Sequence, residues 1–155
     1  MARLDEAVRQ FLNHKRIAVA GVSRSGALPA NAIYKKLRGA GYDVFAVNPA
    51  ATEVEGGPCY PNLAAIPGGV EAVVIATPPD AAEGLVRESA DVGVRHVWMH
   101  RSFGQGSVSA SAAALGREKG LSVIDGACPM MYVNPDVGHR CIRWFLKVTG
   151  GLPRA

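Results

Sequence analysis

Aromatic residues make up only 6% of the 155-residue chain, and its three cysteines, Cys59, Cys128 and Cys141, stand far apart with no Cys-x-x-Cys pair. The first scarcity removes the stacking rings a single-stranded nucleic-acid surface needs. The second argues against a disulfide framework and a cysteine-based zinc site. No stretch approaches the ~20 apolar residues of a membrane span, and the opening Met1-Ala2-Arg3-Leu4-Asp5-Glu6 lacks the apolar run of a secretory signal. Charged residues are 19% of the chain and form no acidic or basic block, so no disordered tail is indicated. These absences set the expectations of a reducing cytoplasm, no metal, no membrane and no nucleic-acid partner.

What is present suits one folded domain over residues 1–155: 48% of the residues are apolar, enough for a continuous core. Seventeen Lys and Arg against thirteen Asp and Glu leave a net charge of +4, which favours anionic ligands in a general way.

Compact apolar runs alternate with helical patterns along the chain. Ala7, Val8, Phe11 and Leu12 carry helical spacing over residues 5–13, after an Asp that can cap. Arg16 to Ala20 reads as a first buried parallel strand ending at Gly21. Ala30, Ile33, Tyr34 and Leu37 share one face of a helix over 30–38, closed by Gly39-Ala40-Gly41. The remaining strands are predicted at Tyr42 to Val47, Glu71 to Ala76, His96 to Met99 and Leu121 to Ile124, with helices over Ala81 to Val92 and Ser107 to Lys119. The stretch around Gly56-Gly57-Pro58 reads as irregular. A last helix over Asp136 to Val148 is expected to pack on the sheet or on a second subunit. The alternation predicts a doubly wound α/β fold, Rossmann-like, with a mainly parallel sheet of about five strands and helices on both faces.

In such a sheet ligands settle at the carboxyl ends of strands, where the winding direction reverses. The loop Gly21-Val22-Ser23-Arg24-Ser25 is the strongest candidate: Gly21 permits a tight turn, the following N–H groups and the Ser23 and Ser25 hydroxyls suit a phosphate near a helix N-terminus, and Arg24 adds a charge. It departs from Gly-x-Gly-x-x-Gly, since Gly21 and Gly26 are five apart and Ala27 and Ala30 stand where further glycines would help. After the second strand comes Asn48-Pro49 where a dinucleotide enzyme usually carries an acid for the ribose hydroxyls. That weakens the case for NAD or NADP and removes a charge that would repel a ribose phosphate. Among the histidines only His100, with Arg101, falls at a strand end near the expected cleft. No set of residues marks a catalytic centre.

Taken in order, Ile17-Ala18-Val19-Ala20-Gly21-Val22-Ser23-Arg24-Ser25, Gly41-Tyr42-Asp43-Val44-Phe45-Ala46-Val47-Asn48-Pro49, Cys59-Tyr60-Pro61-Asn62-Leu63 with Ile66-Pro67, Thr77-Pro78-Pro79, Val97-Trp98-Met99 and Cys128-Pro129-Met130 resemble the small stand-alone CoA-binding proteins, which are similar to the N-terminal domain of the succinyl-CoA synthetase α subunit. The resemblance implies coenzyme A as cofactor, its phosphates on Gly21 to Ser25, Asn48 and Pro49 bordering the nucleotide, and Thr77, Pro78 and Pro79 lining the other side. Met99 and Cys128 complete the expected cofactor-binding set. Ala30 replaces a glycine often seen before Asn31 in similar loops, and residues 136–153 extend past the minimal domain, where they suit an oligomer contact such as a homodimer. The domain bearing the synthetase's phosphorylated histidine has no counterpart here, so ligase activity is not implied.

Three readings follow from the sequence. The favoured one is a module that binds CoA or an acyl-CoA without chemistry of its own. An NAD(P)-dependent oxidoreductase or dehydrogenase-like subunit is the alternative, and a cofactor-sensing regulatory or interaction protein the second.

Overall fold

The computed structural model describes residues 2–26 and 28–153. Its centre is a seven-stranded sheet in the order β3-β4-β2-β1-β5-β6-β7. The strands are β1 (Arg16–Ala20), β2 (Asp43–Val47), β3 (Glu53–Val54), β4 (Gly57–Tyr60), β5 (Ala72–Ile75), β6 (His96–Met99) and β7 (Ser122–Asp125). The helices are α1 (Ala2–Leu12), α2 (Pro29–Gly39), α3 (Ala82–Asp91), α4 (Ala110–Glu118) and α5 (Val137–Thr149). All pairings are parallel except β3 with β4.

The inner strands are continuous apolar runs because both their faces are buried. Ile17 and Val19 of β1, Val74 of β5, Trp98 of β6 and Ile124 of β7 face a layer formed by Leu4, Val8 and Phe11 of α1 and Ile33, Tyr34 and Leu37 of α2. Ala18, Ala20, Val73, Ile75, Val97 and Met99 face Ala82 and Val86 of α3 and Ala112 and Ala113 of α4. Trp98 anchors the first layer, its ring edge-on to Phe11 (5.3 Å between centroids) and its indole N–H donating to the Gly126 carbonyl at 2.7 Å. That bond satisfies the one polar atom of the largest fully buried side chain.

The doubly wound α/β class is as expected, but the sheet has two strands more than predicted. The segment read as irregular folds into the β3–β4 hairpin, turned by Glu55 and Gly56 at positive φ (49° and 71°). Pro58 gave no strand signal, yet on a short edge strand its missing N–H costs little. The pairs Ala46↔Cys59 and Val47↔Tyr60 and the Asn48 N–H donating to the Tyr60 carbonyl at 2.9 Å tie β4 to β2, so tertiary pairing rather than local pattern creates it.

The direction of winding reverses at β1. The chain leaves β1 for β2 and β4 on one side, then crosses over to β5, β6 and β7 on the other. The exits of β1 and β5 therefore bound the crevice where a doubly wound sheet takes its ligands.

Candidate functional site

A cleft of about 540 Å³ opens at this point, within the range of small-molecule sites. Its floor is the carboxyl ends of β1 and β2, with Gly21, Ser23, Val47 and Asn48. One wall is Leu28, Pro49 and Pro61. The other is Thr77 and Pro78 after β5, together with Ala81, Gly84, Leu85 and Glu88 of the following turn and α3.

The loop after β1 is held rigidly. Gly21 has φ +101°, and its N–H donates to the Val47 carbonyl at 3.0 Å. A Cβ at Gly21 would lie 2.7 Å from the Ala76 carbonyl oxygen, so glycine lets two adjacent strand exits touch. Asn31, fully buried in the first turn of α2, accepts from the Ser23 N–H at 3.0 Å and donates to the Ser23 carbonyl at 2.6 Å and to Glu55 Oε1 at 2.7 Å. Asn48 clamps the loop from the other side: its Nδ2 donates to the Val22 carbonyl at 2.9 Å and its Oδ1 accepts from the Ala50 N–H at 2.8 Å. The Ser25 N–H is taken by the Ser23 hydroxyl at 3.1 Å. Among the described residues, the N–H groups of Val22 and Arg24 donate to nothing, and α2 begins at Pro29 with no side-chain cap on its N-terminus. Of these two residues Val22 is fully buried and Arg24 exposed, so the Arg24 N–H and the start of α2 are the backbone groups left without a side-chain partner at the surface.

The sequence-derived site residues separate into two groups. Gly21, Ser23, Asn48, Pro49, Thr77 and Pro78 line the cleft. Val22 contributes backbone only, its side chain being fully buried, while Arg24 and Ser25 stand exposed at the loop tip and Pro79 starts the turn that leads to α3. Met99 lies in the core beneath α3 and α4, and Cys128 in the core on the opposite face; neither lines the cleft. Burial pushes the Cys128 thiol pKa up, against thiolate formation. Ala30 turns its methyl into the core rather than toward the cleft, so the glycine it replaces is not missed on the ligand side; Ala27 lies outside the described residues. His100 is buried and its Nε2 lies 3.3 Å from the Ser102 hydroxyl. Desolvation lowers its pKa, favouring the neutral ring. Arg101 reaches away from the cleft, over Gly126 and toward the Gly151 carbonyl at 3.4 Å.

Sequence reasoning missed the α3 wall and Asn31. Gly84 was the available signal for the wall: a glycine inside a helix costs about 1 kcal/mol against alanine, and a Cβ there would meet nothing within 4 Å. Among the described residues Glu88 is the one acid lining the cleft, and its Oε1 accepts from the N–H groups of Leu63 (2.7 Å) and Ala64 (3.4 Å). The Thr77 hydroxyl oxygen is buried with no partner among the described residues.

Replacing Asn31 by alanine strips both backbone groups of Ser23 and the Glu55 carboxylate of their shared partner. Unsatisfied buried polar groups cost about 1–3 kcal/mol each, so Asn31→Ala should lose about 2–3 kcal/mol of stability by urea titration. An unchanged midpoint would mean the loop does not depend on this clamp.

A doubly wound, mainly parallel sheet with a crevice at its switch point places the protein in the Rossmann-like class of α/β proteins. The model of the CoA binding domain family matches residues 15–134, and the chain belongs to that family. It is 29% identical over 114 residues to the uncharacterized protein YneT of Bacillus subtilis, a match covering 74% of this chain and 82% of that one. It is 37% identical over 84 residues to the ADP-forming acetate–CoA ligase I of Archaeoglobus fulgidus, 52% of this chain but only 12% of the ligase. A solved structure of a hypothetical protein from Pyrococcus horikoshii superimposes with a TM-score of 0.75 at 32% identity, covering 81% of this chain and 87% of that one. Among the described residues no helix is long and apolar enough to cross a membrane.

Proposed function

We propose that residues 1–155 act as one unit that binds coenzyme A or an acyl-CoA in the cleft between β1 and β5, without chemistry performed by this chain alone. The observation that carries the reading is the cleft at the switch point in a chain whose residues 15–134 match the CoA binding domain. The residues fit the ligand's chemistry. Pro49, Pro61, Pro78 and Leu28 offer flat apolar walls for a purine, while the Arg24 amide, the Ser23 hydroxyl and the uncapped start of α2 suit a pyrophosphate. Pro79, on the turn after Pro78, supports the same wall, and the unpartnered Thr77 hydroxyl is a further group for a ligand to satisfy.

Absence of chemistry is supported by the cleft's lining, where the one carboxylate among the described residues, Glu88, already caps the turn at Leu63–Ala65. The end of β2 carries no acid, and both polar ends of Asn48 are engaged within the protein. That leaves a ribose diol without the carboxylate partner NAD enzymes use and a ribose phosphate without a repelling charge.

Thermal melting with CoA, NAD and NADP tests the proposal. CoA at one hundred times its dissociation constant should stabilise the fold by about 2.7 kcal/mol, raising Tm by roughly 5–10 °C for a domain of this size. A shift with NAD or NADP and none with CoA overturns it. Arg24, exposed at the loop tip, is placed to swing onto a phosphate; Arg24→Ala should weaken CoA binding by about 1–3 kcal/mol in calorimetry, the scale of a charge-assisted hydrogen bond. An affinity unchanged within error would place that guanidinium off the ligand.

A further inference from the structure

We infer that α5 is a self-association surface on which a second copy of this chain docks, the two helices running parallel about a two-fold axis. The helix lies beyond the matched residues 15–134 and has two apolar sides. Ile142 and Leu146 pack against the core. Opposite them, Val137, Cys141, Trp144 and Val148 project outward at spacings of four, three and four residues, the seam pattern of a two-stranded coiled coil. Val137 is 76%, Trp144 66%, Phe145 53% and Val148 67% exposed.

Charge selects both the occupant and its direction. One flank of the seam carries Arg140 and Lys147; the other carries Gly138 and Phe145 and is neutral. Parallel helices bring each cationic flank against the neutral flank of the other, setting Arg140 against the partner's Phe145 in a cation–π contact made twice. Antiparallel helices would instead oppose Arg140 and the partner's Lys147. An anionic bilayer would be better served by cations on both flanks than on one. Pairing the exposed parts of these side chains across two protomers buries on the order of 1,000 Å², the lower bound for a specific interface. The helix is already formed, capped by Asp136 at its start and by Gly150 in the left-handed conformation at its end, so docking incurs little ordering cost.

Sedimentation equilibrium of the full chain tests the inference. The wild type should be a dimer at micromolar concentration. Trp144→Glu should be monomeric, its dissociation constant raised about thirtyfold or more, with unchanged circular dichroism because Trp144 leaves the core untouched. Cys141 reports direction. In the parallel pair it faces the partner's Cys141, so diamide, taking one hydrogen from each thiol, should link them as a disulfide that Cys141→Ser abolishes. Cys59 and Cys128 are buried and do not compete. A monomeric wild type, a dimeric Trp144→Glu or a dimer that forms no Cys141 disulfide would overturn the proposal. So would a monomer that pellets with phosphatidylserine vesicles through Trp144, which would assign the face to lipid.

Discussion

Gly21→Ala should lower the stability of the protein by about 3–5 kcal/mol and its Tm by about 10 °C or more. Two separate costs add. At φ +101° an L side chain is strained, worth about 1–3 kcal/mol. Its Cβ would also sit 2.7 Å from the Ala76 carbonyl oxygen and 3.0 Å from the carbonyl carbon. Those are backbone atoms of the residue whose N–H donates to Ala20, so they cannot yield without breaking the β1–β5 ladder. The exits of these strands bound the ligand crevice, so the residual folded protein should also lose CoA affinity. Chemical unfolding with and without CoA separates the two effects. A variant as stable as the wild type would show that the two exits are not packed as tightly as this geometry requires.

The same contact gives this glycine a role that its sequence context alone does not show. The sequence showed a glycine directly after an apolar strand, and its natural reading was a tight turn next to a phosphate. In the fold its smallness is used on the other side, against β5, where a Cβ would meet the Ala76 carbonyl. The inner strands were legible because burial on both faces leaves unbroken apolar runs; β6 matches its predicted bounds, His96 to Met99. The β3–β4 hairpin was not, since four residues containing Gly57 and Pro58 have no strand character until β2 offers them an edge. Local pattern placed Met99 and Cys128 at strand ends but could not tell which way each side chain turns; both turn into the core. Asn48 was legible as a polar residue at the right place, but not as a clamp whose two ends are spent on Val22 and Ala50.

The α3 wall carries the prediction that best separates binding from folding. Gly84 sits inside a helix, beside the cleft, with open space where a Cβ would go. For stability alone alanine is preferable by about 1 kcal/mol, so Gly84→Ala should raise Tm by roughly 2–4 °C while narrowing the cleft. Gly84→Leu should keep most of that helix gain, since leucine is also a strong helix former. Its side chain would stand in the space between Leu85 and the opposite wall and reduce CoA affinity on the order of a hundredfold, roughly 3 kcal/mol. Opposite signs on the two measurements are the signature of a residue kept small for a ligand at the expense of the fold. If Gly84→Leu melts at or above the wild-type temperature and still binds CoA with wild-type affinity in calorimetry, the ligand does not occupy the crevice between β1 and β5.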